Sequence, residues 1–90
     1  MIRKEERLCL EGAITLANVA GKLNPGFTIL SEGARVVDLT QVTEVDSAAL
    51  SLLLEWIRQA KLAGFSVRIE NLPAGLTSLA TLYGVSDLLA

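Results

Sequence analysis

The dominant pattern in the chain is a short apolar run, a polar stretch and then a long amphipathic run. Residues 36–39 are mostly Val and Leu, which predicts a buried central strand. Residues 40–44 are polar apart from Val42, which predicts a loop anchored by one valine. Apolar residues then recur at helical spacing over residues 47–63 and stop at Gly64, which predicts a helix with a glycine C-cap.

Successive residues of an α-helix are about 100° apart around its axis. On this spacing, the apolar side chains of the helix predicted over residues 47–63 fall into two groups. The predicted core face consists of Leu50, Leu53, Leu54, Ile57 and Ala60. A shoulder beside it consists of Ala49, Leu52 and Trp56. The shoulder either packs on a neighbouring helix or forms an exposed partner-docking surface, since Trp is enriched at binding hot spots.

The segments before the central strand predict one strand and a broken helical region. Residues 7–11 are apolar between Arg7 and Glu11, which predicts the first strand. Thr15 is a candidate cap for a helix that extends to Leu23. The breaker at residues 24–26 (Asn-Pro-Gly) then predicts a kink or two short helices.

The segments after the central helix complete an alternating order of strands and helices. Residues 66–70 alternate with period two, which predicts a strand covered on one face only. A further helix is predicted around Pro73, ending at Gly84. Strands that alternate with helices predict an α/β fold with parallel neighbours and right-handed crossovers.

The composition predicts one small domain that reserves an apolar surface for a partner. The chain has 90 residues and is 51% hydrophobic, but no segment approaches the roughly 18–20 apolar residues of a membrane span. Residues 3–7 are all charged, and the N-terminus lacks the apolar core of a signal peptide. The single Cys9 cannot form an internal disulfide. We therefore expect a cytoplasmic protein.

Charge and residue types disfavour nucleic-acid binding and nucleophilic catalysis. The net charge is −2 and the eight basic residues are scattered, so no stripe for phosphate contacts is present. There is no His and no Ser-x-x-Lys sequence, so a nucleophile would lack a base. The sequence therefore predicts that the protein is not an enzyme.

Nucleotide and metal motifs fail on their spacing. A phosphate loop that used Gly21-Lys22 would need Gly at Leu16 and Ser or Thr at Leu23. The carboxylates of residues 38, 44 and 46 match no known metal-binding loop. No cofactor and no metal are therefore expected.

Asp46 and Ser47 are the candidate site. They stand immediately before the amphipathic run, where a helix N-terminus offers free N–H groups and partial positive charge. Either residue could simply cap the helix. A phosphate on Ser47, or an acidic group of a partner, would also be favoured there.

The stretch from Asp38 to Leu50, Asp-Leu-Thr-x-Val-x-x-Val-Asp-Ser-x-Ala-Leu, closely resembles the signature of STAS domains, and the resemblance extends over residues 8–89. Within that family the chain is most similar to the MlaB-like members, through Leu-Leu-Leu-Glu-Trp at residues 52–56 and Leu-Ala-x-Leu-Tyr-Gly-Val at residues 79–85. The resemblance implies a small mixed sheet with helices mainly on one face.

The resemblance also implies two functions. The first is a non-catalytic cytoplasmic subunit that binds the ATPase of a phospholipid-transporting ABC complex and lies peripheral to the inner membrane. The alternative is an anti-sigma factor antagonist that binds an anti-sigma factor kinase and is switched by phosphorylation of Ser47. Asp46 and Ser47 would then be the partner-binding or modified residues. Ala49, Leu52 and Trp56 are the candidates for a partner surface.

Overall fold

The computed structural model describes residues 1–89 as a four-stranded sheet and four helices. The strands are β1 (Ile2–Lys4), β2 (Arg7–Ile14), β3 (Val36–Val45) and β4 (Arg68–Glu70). The helices are α1 (Ala20–Ser31), α2 (Ser47–Ala63), α3 (Ala74–Leu82) and α4 (Ser86–Leu89). Across residues 1–89, none of the helices is long and apolar enough to cross a bilayer.

The sheet is mixed and has the order β1-β2-β3-β4. β2 pairs in parallel with β3, and β3 pairs in parallel with β4, which confirms the predicted α/β order. The antiparallel β1 was not predicted, because its three residues Ile2, Arg3 and Lys4 are exposed and show no apolar pattern.

β3 continues through the stretch predicted as a polar loop, and that prediction was wrong. The residues from Thr40 to Glu44 stay extended because the second half of β2 pairs with them, for example Gly12 with Val42. Their polar side chains are exposed, whereas Val42 packs against the core as predicted.

α1 is one helix with Pro25 inside it, rather than two short helices. Proline removes one backbone hydrogen bond and usually breaks a helix interior. Here the helix is held from outside, because the indole N–H of Trp56 donates to the Leu23 carbonyl oxygen at 2.9 Å. Tertiary packing of α1 on α2 therefore overrides the breaker.

The core lies between the helices and one face of the sheet. The strands contribute Leu8, Leu10, Val37, Leu39 and Ile69 to it. The opposite face carries polar side chains, among them Arg7, Asp38 and Glu70. The structure therefore confirms the expected arrangement, a small mixed sheet with helices packed mainly on one face.

Candidate functional site

The candidate site is the first turn of α2, where β3 ends and the helix begins. Asp46 is the N-cap in extended conformation, and its Oδ1 accepts a hydrogen bond from the Ala48 N–H at 2.8 Å. Ser47 is the first helical residue and is exposed. Because Asp46 provides the cap, the Ser47 hydroxyl is not needed for capping.

Asp46 also fixes the loop that follows β2. Its Oδ2 accepts a hydrogen bond from the Leu16 N–H at 3.0 Å. This bond, followed by the one from Ala48, lowers the pKa of the Asp46 carboxyl. One ionised carboxylate thus ties the turn at residues 15–19 to the start of α2.

A groove of about 570 Å³ lies between this turn, the first residues of α1 and the first two turns of α2. We call it the α2-start groove. Its lining residues are Leu16, Val19, Ala20, Leu23, Asp46, Ser47, Ala48, Ser51, Leu52 and Glu55. Its size is in the range of ligand pockets, so it can accept side chains from a binding partner.

Glu55 lines the end of the groove away from Asp46. Its carboxylate forms an ion pair with Arg58 on the same helix. Its two carboxylate oxygens accept hydrogen bonds from Arg58, and Gln59 donates to one of them as well. The Arg58 bonds, with a smaller effect of Gln59, lower the pKa of Glu55 to about 2. Both acidic residues of the groove are therefore charged at neutral pH.

Of the two alternatives predicted for the shoulder of Ala49, Leu52 and Trp56, the structure contradicts the exposed partner-docking surface. The three residues are 2%, 3% and 0% exposed. Trp56 lies under α1 and donates to the Leu23 carbonyl oxygen, so the shoulder packs on a neighbouring helix instead. Only Leu52 reaches the α2-start groove, where it is one of the lining residues.

Asp38 belongs to a separate cluster on the open face of the sheet. Its Oδ1 accepts bonds from the Thr40 hydroxyl at 2.6 Å and from the Asn71 amide at 3.0 Å, and its Oδ2 faces Arg7 at 3.2 Å. The Thr40 hydroxyl, then Asn71, lower the pKa of Asp38 to about 2. Within residues 1–89, no group of three or more His, Cys, Asp or Glu side chains could hold a metal ion.

Comparison with known proteins identifies the family. A family model described as "Mlab, STAS domain" matches residues 2–90. The chain therefore belongs to the STAS domain family, and within it to the MlaB-like members. Ser47 and Asp46 lie in the stretch that carries the family signature, at the junction of β3 and α2.

A solved structure titled "Crystal Structure Analysis of Mglu" shares the fold. It superposes with a TM-score of 0.61 and 27% sequence identity over 81% of this chain. The chain spans only 19% of that protein's length. No match was found among the curated proteins.

The sequence pattern located the capped start of α2. It did not reveal that Leu16 and Val19 form the opposite wall of the α2-start groove. Thr15 was the candidate cap of a helix extending to Leu23, but in the structure residues 15–19 form a turn and α1 begins only at Ala20. Leu16 and Val19 of that turn line the α2-start groove. The placement depends on the bond between Asp46 and the Leu16 N–H, which joins residues 30 positions apart.

Proposed function

We propose that this STAS domain binds the ATPase subunit of a phospholipid-transporting ABC complex and regulates or stabilises it. The observation that carries the proposal is the family match over residues 2–90. In this proposal the protein is a non-catalytic cytoplasmic subunit, peripheral to the inner membrane through its partner.

The proposed contact is the exposed first turn of α2 and the groove beside it. Ser47 is exposed and free of the capping role, which supports a direct contact with the partner. The groove supplies apolar surface that a partner could desolvate. The buried shoulder residues Ala49 and Trp56 act instead by packing α2 in place.

Binding of this kind changes ATPase activity only if the domain prefers one conformation of the ATPase. The shift in the conformational equilibrium then equals the difference in affinity for the two states. The domain needs no catalytic residue for this effect, because the ATPase supplies the chemistry.

The test is to prepare the ATPase–permease complex with and without this protein. We expect its ATP turnover or its thermal stability to differ between the two preparations, and the isolated domain to hydrolyse no ATP. Equal turnover and equal stability would contradict the proposal.

The alternative function is an anti-sigma factor antagonist switched by phosphorylation of Ser47. The exposed hydroxyl at the first position of α2 favours it, since a helix N-terminus stabilises a phosphate. The neighbouring Asp46 carboxylate opposes it, because it already occupies that positive end and repels a second anion. Intact-mass measurement of the protein from its native cells decides: added phosphate that disappears in Ser47→Ala would support the alternative.

A further inference from the structure

The α2-start groove combines apolar walls with a rim that carries only acidic and hydroxyl groups. Its apolar lining residues are Leu16, Val19, Ala20, Leu23, Ala48 and Leu52. Its polar lining residues are Asp46, Ser47, Ser51 and Glu55. In the part of the chain that the structure describes, neither Lys nor Arg lines the groove.

The two carboxylates of the groove differ in their capacity to bind a cation. Glu55 already receives three side-chain hydrogen bonds, from Arg58 and Gln59. Each oxygen of Asp46 accepts one backbone N–H, and a carboxylate oxygen can accept two bonds. Asp46 therefore accepts fewer side-chain hydrogen bonds than Glu55 and has acceptor capacity left for a cationic group.

Leu16 gives the groove an ordered apolar edge. It is 79% exposed, the highest value among the exposed large hydrophobic residues in residues 1–89. Its backbone is nevertheless fixed, because its N–H donates to Asp46. Because the backbone of Leu16 is already ordered, binding of a partner has to order only its side chain, which favours affinity.

We infer that the groove takes a segment of the partner that presents an apolar side chain beside a Lys or Arg side chain. The apolar side chain packs on Leu16 and Val19, and the cationic group pairs with Asp46. An anionic group such as a lipid phosphate would meet the Asp46 carboxylate with no counter-charge in the lining. The inference rests on the proposed function, because it assigns this segment to the ATPase.

The predicted contact between the apolar side chain of the partner and the groove is tested by replacing Leu16. The dissociation constant for the purified ATPase is measured with the wild-type domain, with Leu16→Asp and with Leu62→Asp. Leu62 is 75% exposed at the other end of α2 and is the matched control. We expect Leu16→Asp to weaken binding by roughly tenfold or more and Leu62→Asp to leave it unchanged.

The charge of the partner segment is tested at Ser51, which is exposed in the groove. A cationic partner should bind Ser51→Lys more weakly than Ser51→Glu, and added salt should reduce the difference. The reverse order would show an anionic partner and overturn the inference. Circular dichroism of each variant shows whether it is folded.

The outcomes separate the inference from the function on which it rests. If the wild-type domain does not bind the ATPase, the proposed function is contradicted and the inference falls with it. If the wild-type domain binds and Leu16→Asp binds equally well, the inference alone is overturned.

Discussion

The ring of Trp56 occupies the space that a side chain on Gly26 would need. A Cβ atom built on Gly26 would stand 2.1 Å from the Cζ2 atom of Trp56. The indole N–H donates to the Leu23 carbonyl oxygen in the same helix. The missing side chain at position 26 thus allows α1 to approach α2, and the two helices together form walls of the α2-start groove.

Gly26→Ala should therefore destabilise the domain, although alanine is the better helix former. The clash is with a fully buried ring, and overpacking of this kind costs roughly 1–3 kcal/mol. Gly21→Ala in the same helix is the control, since nothing lies within 4 Å of its added Cβ atom. Urea unfolding should show Gly21→Ala unchanged or more stable by up to about 1 kcal/mol. Equal midpoints for both variants would contradict the close approach of the helices.

Leu53→Ala tests the core face of α2. Leu53 is 1% exposed, so its truncation should lower the free energy of unfolding by about 2–5 kcal/mol. Leu62→Ala on the same helix removes the same atoms from a residue that is 75% exposed, and should change stability by less than about 0.5 kcal/mol. If chemical denaturation showed similar losses of unfolding free energy for Leu53→Ala and Leu62→Ala, the assignment of Leu53 to the core face of α2 would be wrong.

Asp38 should make the free energy of unfolding depend on pH in the acidic range. Its pKa is about 2 in the folded protein against an ordinary 3.8, so between these values the unfolded chain binds more protons. Its contribution is present above the unfolded pKa and is lost as pH falls through the folded one. Asp38→Asn should be less stable than wild type near neutral pH, and the difference should narrow from about pH 5 to about pH 2. If the difference in urea midpoint between the wild type and Asp38→Asn stayed constant across that pH range, this account would be contradicted.

The sequence was most informative where one local rule decided the structure. α2 begins at Ser47 and ends at Ala63 as predicted, because Asp46 caps its start and Gly64 adopts a left-handed conformation, φ 93°, at its end. The α/β order followed from local patterns in the same way. Val42 was placed against the core because it is the one apolar residue in a polar stretch.

The predictions that failed depended on contacts between distant residues. The loop predicted after residue 39 is a strand because β2 runs beside it, and β2 lies more than 20 positions earlier in the sequence. Helical spacing placed Leu52 and Trp56 on a shoulder of α2 but could not show what covers it. The cover is α1, whose approach depends on Gly26.

Trp56→Ala consequently tests folding rather than partner contact. The side chain is fully buried, so any loss of ATPase binding in that variant would follow from a disturbed core. Ser47 is the better probe of the contact. It is exposed, it does not cap the helix, and it lies beside the groove.

The dissociation constant between the purified ATPase and Ser47→Arg is the most direct test of the central claim, that the start of α2 is the partner contact. Ser78→Arg is the control, since Ser78 is an exposed serine in α3. The account predicts that Ser47→Arg folds normally and binds roughly tenfold or more weakly, while Ser78→Arg binds like wild type. Wild-type affinity in folded Ser47→Arg would contradict the claim.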